Sequence, residues 1–244
     1  MKINCDMGES FGLWQLGQDP AVMPYVDMAN IACGMHASDP TVMKSTVKLA
    51  KDNNVLIGAH PSYPDIQGFG RRYMAMSSED LESCIIYQLG ALQGICQSED
   101  ATMSYVKPHG ALYNAMMKDD QVFHTVLSAI KKFNKTLPLV VMAVPDYQHY
   151  QALSDEYGIH LWFEAFVDRA YDENGRLMPR TEPNSCHTTL EKVDWQAKQL
   201  MESGSVTTHT GKTVYVKADT LCIHGDGPLA LSIAQRLRMR VDNI

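Results

Sequence analysis

Nowhere do the 244 residues hold a run approaching the ~18 consecutive apolar residues of a membrane-spanning helix. Basic tracts are missing too. Lys and Arg number 21 against 28 Asp and Glu, a formal charge of −7, which argues against nucleic acid as a general partner. No C-x-x-C pair occurs among Cys5, Cys33, Cys84, Cys96, Cys186 and Cys222, so free thiols in a reducing cytoplasm are expected. Met1-Lys2-Ile3-Asn4-Cys5-Asp6 turns polar at once, unlike a secretory leader. There is no Pro/Ser-rich linker, no low-complexity run and no obvious repeat. H-E-x-x-H is lacking, as is a G-x-G-x-x-G turn after the first apolar run. Thr210-Gly211-Lys212-Thr213 ends like a phosphate-binding P-loop, but the required first glycine would fall on Val206 and the run precedes a strand. It reads as a hairpin turn.

What is present is a rhythm of short apolar runs alternating with stretches of helical period, the pattern of βα units. Strands are predicted at 2–6, 27–33, 55–60, 104–107, 137–144, 160–167 and 214–224. Helices are predicted at 40–53, 78–98, 110–117 with 120–133, 146–157, 189–202 and 228–238. Ser38-Asp39-Pro40, Ser77-Ser78-Glu79-Asp80 and Asp226-Gly227-Pro228 supply helix-start signals. An α/β protein with a parallel sheet follows, and the βα units use nearly all of residues 1–244, so one domain is expected.

The carboxyl ends of the predicted strands concentrate polar residues, where parallel β/α proteins build their sites. They carry Asn4, Asp6 and Glu9; Asn30, Cys33 and His36; His60; Lys107 and His109; Glu164, Asp168 and Arg169; and His224, Gly225 and Asp226. Closing the sheet into a barrel brings these to one mouth, whereas an open sheet strings them along an edge. The barrel is therefore expected. Each residue also has a plainer role open to it: Asp6 and Glu9 as helix-start acids, single histidines as turn residues, Cys33 as small packing. Asp6, His36 and His60, with His109 nearby, are ligand types that a divalent metal accepts. Gly68-Phe69-Gly70-Arg71-Arg72 and His224-Gly225-Asp226-Gly227-Pro228 suit oxyanions, or form an ordinary turn and a solvated arginine pair.

Several of these segments carry a resemblance. Asn4-Cys5-Asp6-Met7-Gly8-Glu9, Asn30-Ile31-Ala32-Cys33-Gly34-Met35-His36-Ala37-Ser38-Asp39 and Ile57-Gly58-Ala59-His60-Pro61-Ser62-Tyr63-Pro64-Asp65 resemble the first three signatures of the family of 5-oxoprolinase A subunits, a bacterial lactam-utilisation protein family. Phe69-Gly70-Arg71-Arg72, Val106-Lys107-Pro108-His109-Gly110-Ala111-Leu112-Tyr113-Asn114, Glu164-Ala165-Phe166-Val167-Asp168-Arg169 and Cys222-Ile223-His224-Gly225-Asp226 continue the likeness in order. Cys5 stands where the family usually has alanine and Ser38 where it usually has glycine, and the run from Pro179 to Ser185 diverges after its start.

The resemblance implies a distorted seven-stranded β/α barrel similar to polysaccharide deacetylases. It also implies ATP-dependent cleavage of 5-oxo-L-proline to L-glutamate with partner subunits B and C. On that expectation Asp6 or Glu9 serves as general base on water. His36, His60 and His109 position water, protonate the ring nitrogen or hold a metal. Lys107 and Arg71 or Arg72 counter phosphate or carboxylate, and the turn after Gly225 donates backbone N–H groups. Asn4, Asn30, Asp168, Arg169, His224, Gly225 and Asp226 are the further expected substrate or phosphate contacts. Because the overall charge repels such ligands, Lys107, Arg71, Arg72 and Arg169 must attract them locally. Two other readings stay open: a stand-alone metal-dependent amide hydrolase or deacetylase, and a non-catalytic component that only binds the lactam.

Overall fold

Alternation along the first strand sets which side of the sheet is polar. In β1 (Lys2–Met7), Ile3, Cys5 and Met7 join the apolar core, while Asn4 and Asp6 face the other way. The computed structural model describes residues 1–225, 227 and 229–243, and in it this polar side is the inside of a barrel.

Parallel strands β1, β2 (Met28–Ala32), β3 (Leu56–His60), β4 (Met103–Val106), β5 (Leu139–Met142) and β6 (Leu161–Phe166) follow one another around the ring. A short antiparallel hairpin of β7 (Ser205–Thr207) and β8 (Thr213–Tyr215) stands outside it. β9 (Thr220–Ile223) then closes the barrel between β6 and β1. The α/β barrel read from the sequence is thus the fold. Thr210-Gly211-Lys212-Thr213 does lie in and beside the tip of that hairpin, where Gly211 N–H donates to Thr208 O.

One predicted strand divides in two. Residues 214–224 do not run straight, because Val216 N–H donates to Gly204 O and the Asp219 carboxylate accepts from Phe163 N–H, turning the chain between β8 and β9. An apolar count cannot see that turn.

Helices α1 (Asp19–Val22), α2 (Pro40–Asp52), α3 (Ser78–Ser98), α4 (Gly110–Met116), α5 (Asp120–Asn134), α6 (Tyr147–Asp155), α7 (Leu190–Ser203) and α8 (Ala230–Asp242) accompany the barrel strands. The expected starts hold for α2, where Asp39 accepts from Thr41 and Val42 N–H ahead of Pro40, and for α3, where Ser77 accepts from Asp80 N–H. Asp226 and Pro228 lie outside the described residues, and α8 begins after Leu229. Among the described residues no helix is long and apolar enough to cross a membrane.

Met28, Tyr105 and Val140, with Leu56 and Trp162 against them, plug the lower barrel. Above them the interior is polar, which departs from the branched apolar layers common in β/α barrels. Register sets Asp6 beside Asn30, Asn30 beside Gly58 and Gly58 beside Tyr105. Gly58 is required by this layer: a Cβ there would lie 2.1 Å from the Tyr105 ring. The vacant volume lets that ring cross the barrel and its hydroxyl donate to Asn30 Oδ1 at 2.7 Å. Gly58→Ala should therefore destabilise the protein by at least ~1–3 kcal/mol, read as a lowered midpoint in denaturant unfolding. An unchanged midpoint would show that the ring has room to move.

Candidate active site

The centre of the barrel mouth is a lysine with little access to water. Lys107, just beyond β4, is 2 % exposed. Its Nζ lies 3.0 Å from Asp6 Oδ1, 3.0 Å from Glu164 Oε2, 3.1 Å from Asn4 Oδ1 and 3.2 Å from Cys222 Sγ. Burial opposes a charge there, but the Asp6 and Glu164 carboxylates outweigh it and hold the ammonium well above the ordinary lysine value. Burial likewise opposes ionisation of Asp6, and His60 and Lys107 override it, holding that carboxyl well below its usual range. Asn30 completes the arrangement by donating to Asp6 Oδ1 at 2.8 Å and Asn4 Oδ1 at 2.9 Å.

Beside this ion network lies a histidine corner. His36 follows β2, His60 ends β3 and His109 follows β4, while Glu9 arrives from the loop after β1. Glu9, His36, His60 and His109 each bring a metal-ligating atom within 4.8 Å of the others, and all four are buried. The His36 and His109 rings stack at 3.8 Å between centroids and 3° between planes. Burial, reinforced by the neighbouring rings, holds both well below the ordinary histidine value, so both are neutral at pH 7. Gly70 caps the corner with φ +64°, and a Cβ there would meet His109 Cδ2 and His36 Cβ at 2.8 Å.

A cavity of about 390 Å³ opens above both groups. Of the residues expected from sequence, Asp6, Glu9, His60, Lys107, His109, Arg71, Arg169, His224 and Gly225 line it. The others are placed differently among the described residues. Asn4 and Asn30 lie beneath the floor, where they hold Asp6 and Lys107 and have no open face for a ligand. His36 sits behind His109. Arg72 is taken by Asp65, whose Oδ1 accepts from its Nε at 3.0 Å, so this arginine shapes the loop while Arg71 reaches the cavity. Asp168 accepts from His224, with Nδ1 2.9 Å from Oδ2 and the backbone N–H at 3.1 Å, and fixes the turn after β9. Asp226 falls outside the described residues. Of the expected metal trio, His36 and His60 are in the cluster, but Asp6 Oδ1 is occupied by Lys107 and Asn30. Glu9 and His109 stand in its place.

Sequence reasoning passed over several participants. Glu164 was visible at the end of the sixth strand, yet only the fold brings it to Lys107. Tyr113 lines the cavity, and burial plus the nearby Glu164 carboxylate push its phenol well above the ordinary value. Arg176 and Arg180, from the loop between β6 and α7, add positive charge to the wall with Lys118. No periodicity marks a loop residue that folds back over a barrel, so these had no signal of their own.

The Asp168–His224 pair yields a pH test. Burial works against ionised Asp168, but His224 dominates and lowers its pKa from 3.8 to about 2. Stabilisation from a depressed carboxyl is complete above the unfolded value and fades as pH falls toward the folded one. Asp168→Asn should thus cost about 2 kcal/mol at pH 6, and the difference from wild type should vanish as pH drops from about 4 toward 2. Urea melts across that range check it; a pH-independent difference would rule out the ion pair as its source.

Comparison with other proteins bears on this geometry. The model of the LamB/YcsF family matches residues 1–244. A Vibrio cholerae protein named as the A subunit of 5-oxoprolinase is 50% identical over 242 residues, covering 99% of this chain and 98% of that protein. A protein of the same name from Chromohalobacter salexigens is 48% identical, covering 99% and 97%. The crystal structure of a lactam utilization protein from Thermus thermophilus superposes with a TM-score of 0.91 at 38% identity, covering 100% and 96%. A putative cellobiose-phosphate cleavage protein from Enterococcus faecalis, with TM-score 0.56 and 13% identity over 99% and 92% of the two chains, shares the fold alone. The chain belongs to the LamB/YcsF family.

Proposed function

We propose that this chain is the A subunit of an ATP-dependent 5-oxoprolinase and opens the lactam ring of 5-oxo-L-proline to give L-glutamate, acting with subunits B and C. The observation that carries this reading is the cavity. It has acid–base groups on its floor and cationic residues on its wall, in a chain half identical to a protein named for that role.

A five-membered lactam is an unstrained amide with a poor leaving group. Phosphorylation of its carbonyl oxygen, with ATP bound together with the partner subunits, makes the ring carbon electrophilic. One water adds there, the ring carbon–nitrogen bond breaks with a proton passing to nitrogen, and an acyl phosphate results. A second water releases phosphate and the new carboxylate.

Glu9, His60 and His109 form the corner where the attacking water is held and activated. Asp6 is a poor base because its Oδ1 is bound by Lys107 and Asn30, so its part is to hold Lys107. The Lys107 ammonium opposes charge developing on oxygen. Arg71, Arg169, Arg176 and Arg180 offset the −7 of the whole chain for a ligand bearing carboxylate and phosphate.

The histidine cluster favours one other reading, a stand-alone metal-dependent amide hydrolase. Glutamate release from 5-oxoproline, assayed for this chain alone and with both partner subunits, with and without ATP, separates the two. Release is expected only with ATP and both partners; turnover by the isolated chain would favour the hydrolase. In the active assembly Glu9→Gln, His60→Ala and His109→Ala should each slow turnover by ~10²–10⁴. A full rate in all three would remove this corner from the chemistry.

A further inference from the structure

Two backbone carbonyls dictate where the histidine protons are. His60 Nδ1 lies 2.6 Å from Lys107 O, and His109 Nε2 lies 2.9 Å from Phe69 O. A carbonyl can only accept, so both of those ring nitrogens carry hydrogen. The remaining ring nitrogens, His60 Nε2 and His109 Nδ1, face each other at 3.0 Å. Two bare nitrogens at that distance repel unless a proton or a cation sits between them. Glu9 Oε1, 3.8 Å from His109 Nδ1, adds an anionic donor on the same side.

We propose that His60 Nε2, His109 Nδ1 and Glu9 Oε1 bind one divalent transition-metal ion of zinc type, with a further coordination position open to the cavity. Ligands ~2.0–2.1 Å from a tetrahedral ion stand ~3.3 Å apart, between the 3.0 Å and 3.8 Å separations seen here. Two imidazoles and a carboxylate with an open fourth position are a donor set that suits zinc in sites that activate water. The carbonyls of Lys107 and Phe69 are the outer partners that fix the ring tautomers and orientations. Because Glu9, His60 and His109 all line the cavity, the open position faces incoming substrate.

His36 is not a ligand, although one of its nitrogens falls within the same 4.8 Å group and its Nε2 is 3.5 Å from Glu9 Oε1. Its ring lies parallel to that of His109, at 3° and 3.8 Å. An ion in the plane of the His109 ring, where that lone pair points, stands a full stacking distance out of the His36 plane and beyond its lone pairs. His36 instead supports His109 from behind. Asp6 is also outside the set: its Oδ1, 3.4 Å from His60 Nε2, already accepts from Lys107 and Asn30. This assignment concerns binding alone and stands or falls apart from the lactam reading.

The test is a Co²⁺ titration of the chelator-treated chain, its fold checked by circular dichroism, followed by displacement with Zn²⁺. One equivalent of Co²⁺ should bind with visible d–d absorption that Zn²⁺ abolishes, and the melting temperature should climb with the logarithm of Zn²⁺ concentration. His60→Ala, His109→Ala and Glu9→Gln should weaken binding by more than the ~10–100-fold that loss of an outer partner costs. His36→Phe, which keeps a stacked ring, should stay within that smaller range. Absence of saturable Co²⁺ binding by folded wild-type protein overturns the proposal and leaves a shared proton between the two rings. A loss in folded His36→Phe as large as in His109→Ala overturns the ligand set.

Discussion

A charged lysine inside the barrel is the constraint around which the mouth is organised. Removing an ammonium from water costs several kcal/mol, and only well-placed partners offset that. Asn4 and Asp6 from β1, Glu164 from β6, and Cys222 from β9 between those two strands surround Lys107 within 3.2 Å. Moving either carboxylate strips the lysine of a charged partner, and moving the lysine strips both carboxylates of theirs. The polar interior thereby gains the fixity that apolar packing supplies in other barrels.

The same residue reaches the histidine corner through its main chain. Lys107 Nζ sets the Asp6 carboxylate, while Lys107 O sets the tautomer of His60. One backbone position therefore coordinates the ion network with the corner beside it. Gly70 does the matching task overhead, where its left-handed φ of +64° lets the loop after β3 close onto His36 and His109. Floor and roof are thus both set by backbone, which tolerates less drift than side chains on loops do.

Much of this is legible in the sequence because a strand's carboxyl end is a local feature. Asp6, His60, Lys107 and His109 stand within a few positions of apolar runs whose period is plain, so a closed barrel is enough to predict their meeting. Asn4 and Asn30 do belong to the mouth, but their depth has no signal, since alternation gives a side chain's face and not its height in the barrel. Arg71 and Arg72 are indistinguishable by composition; only the position of Asp65 decides which one turns away. Arg176 and Arg180 depend on the path of a long irregular loop, and β8 parts from β9 at a turn held by long-range hydrogen bonds. Such contacts leave no mark in periodicity.

The way the ring is joined bears on how the protein folds. Asn4 Nδ2 donates to Thr220 Oγ1 at 3.1 Å across a sequence separation of 216 residues, and β9 must insert between β1 and β6. Contacts of such separation carry the largest loop-closure entropy and are the slowest to form. Until that insertion, Asp6, Lys107 and Glu164 share a groove open to solvent. Dehydration of the three charges is therefore bound to the joining of the sheet, and a chain without that closure would keep this cluster wet.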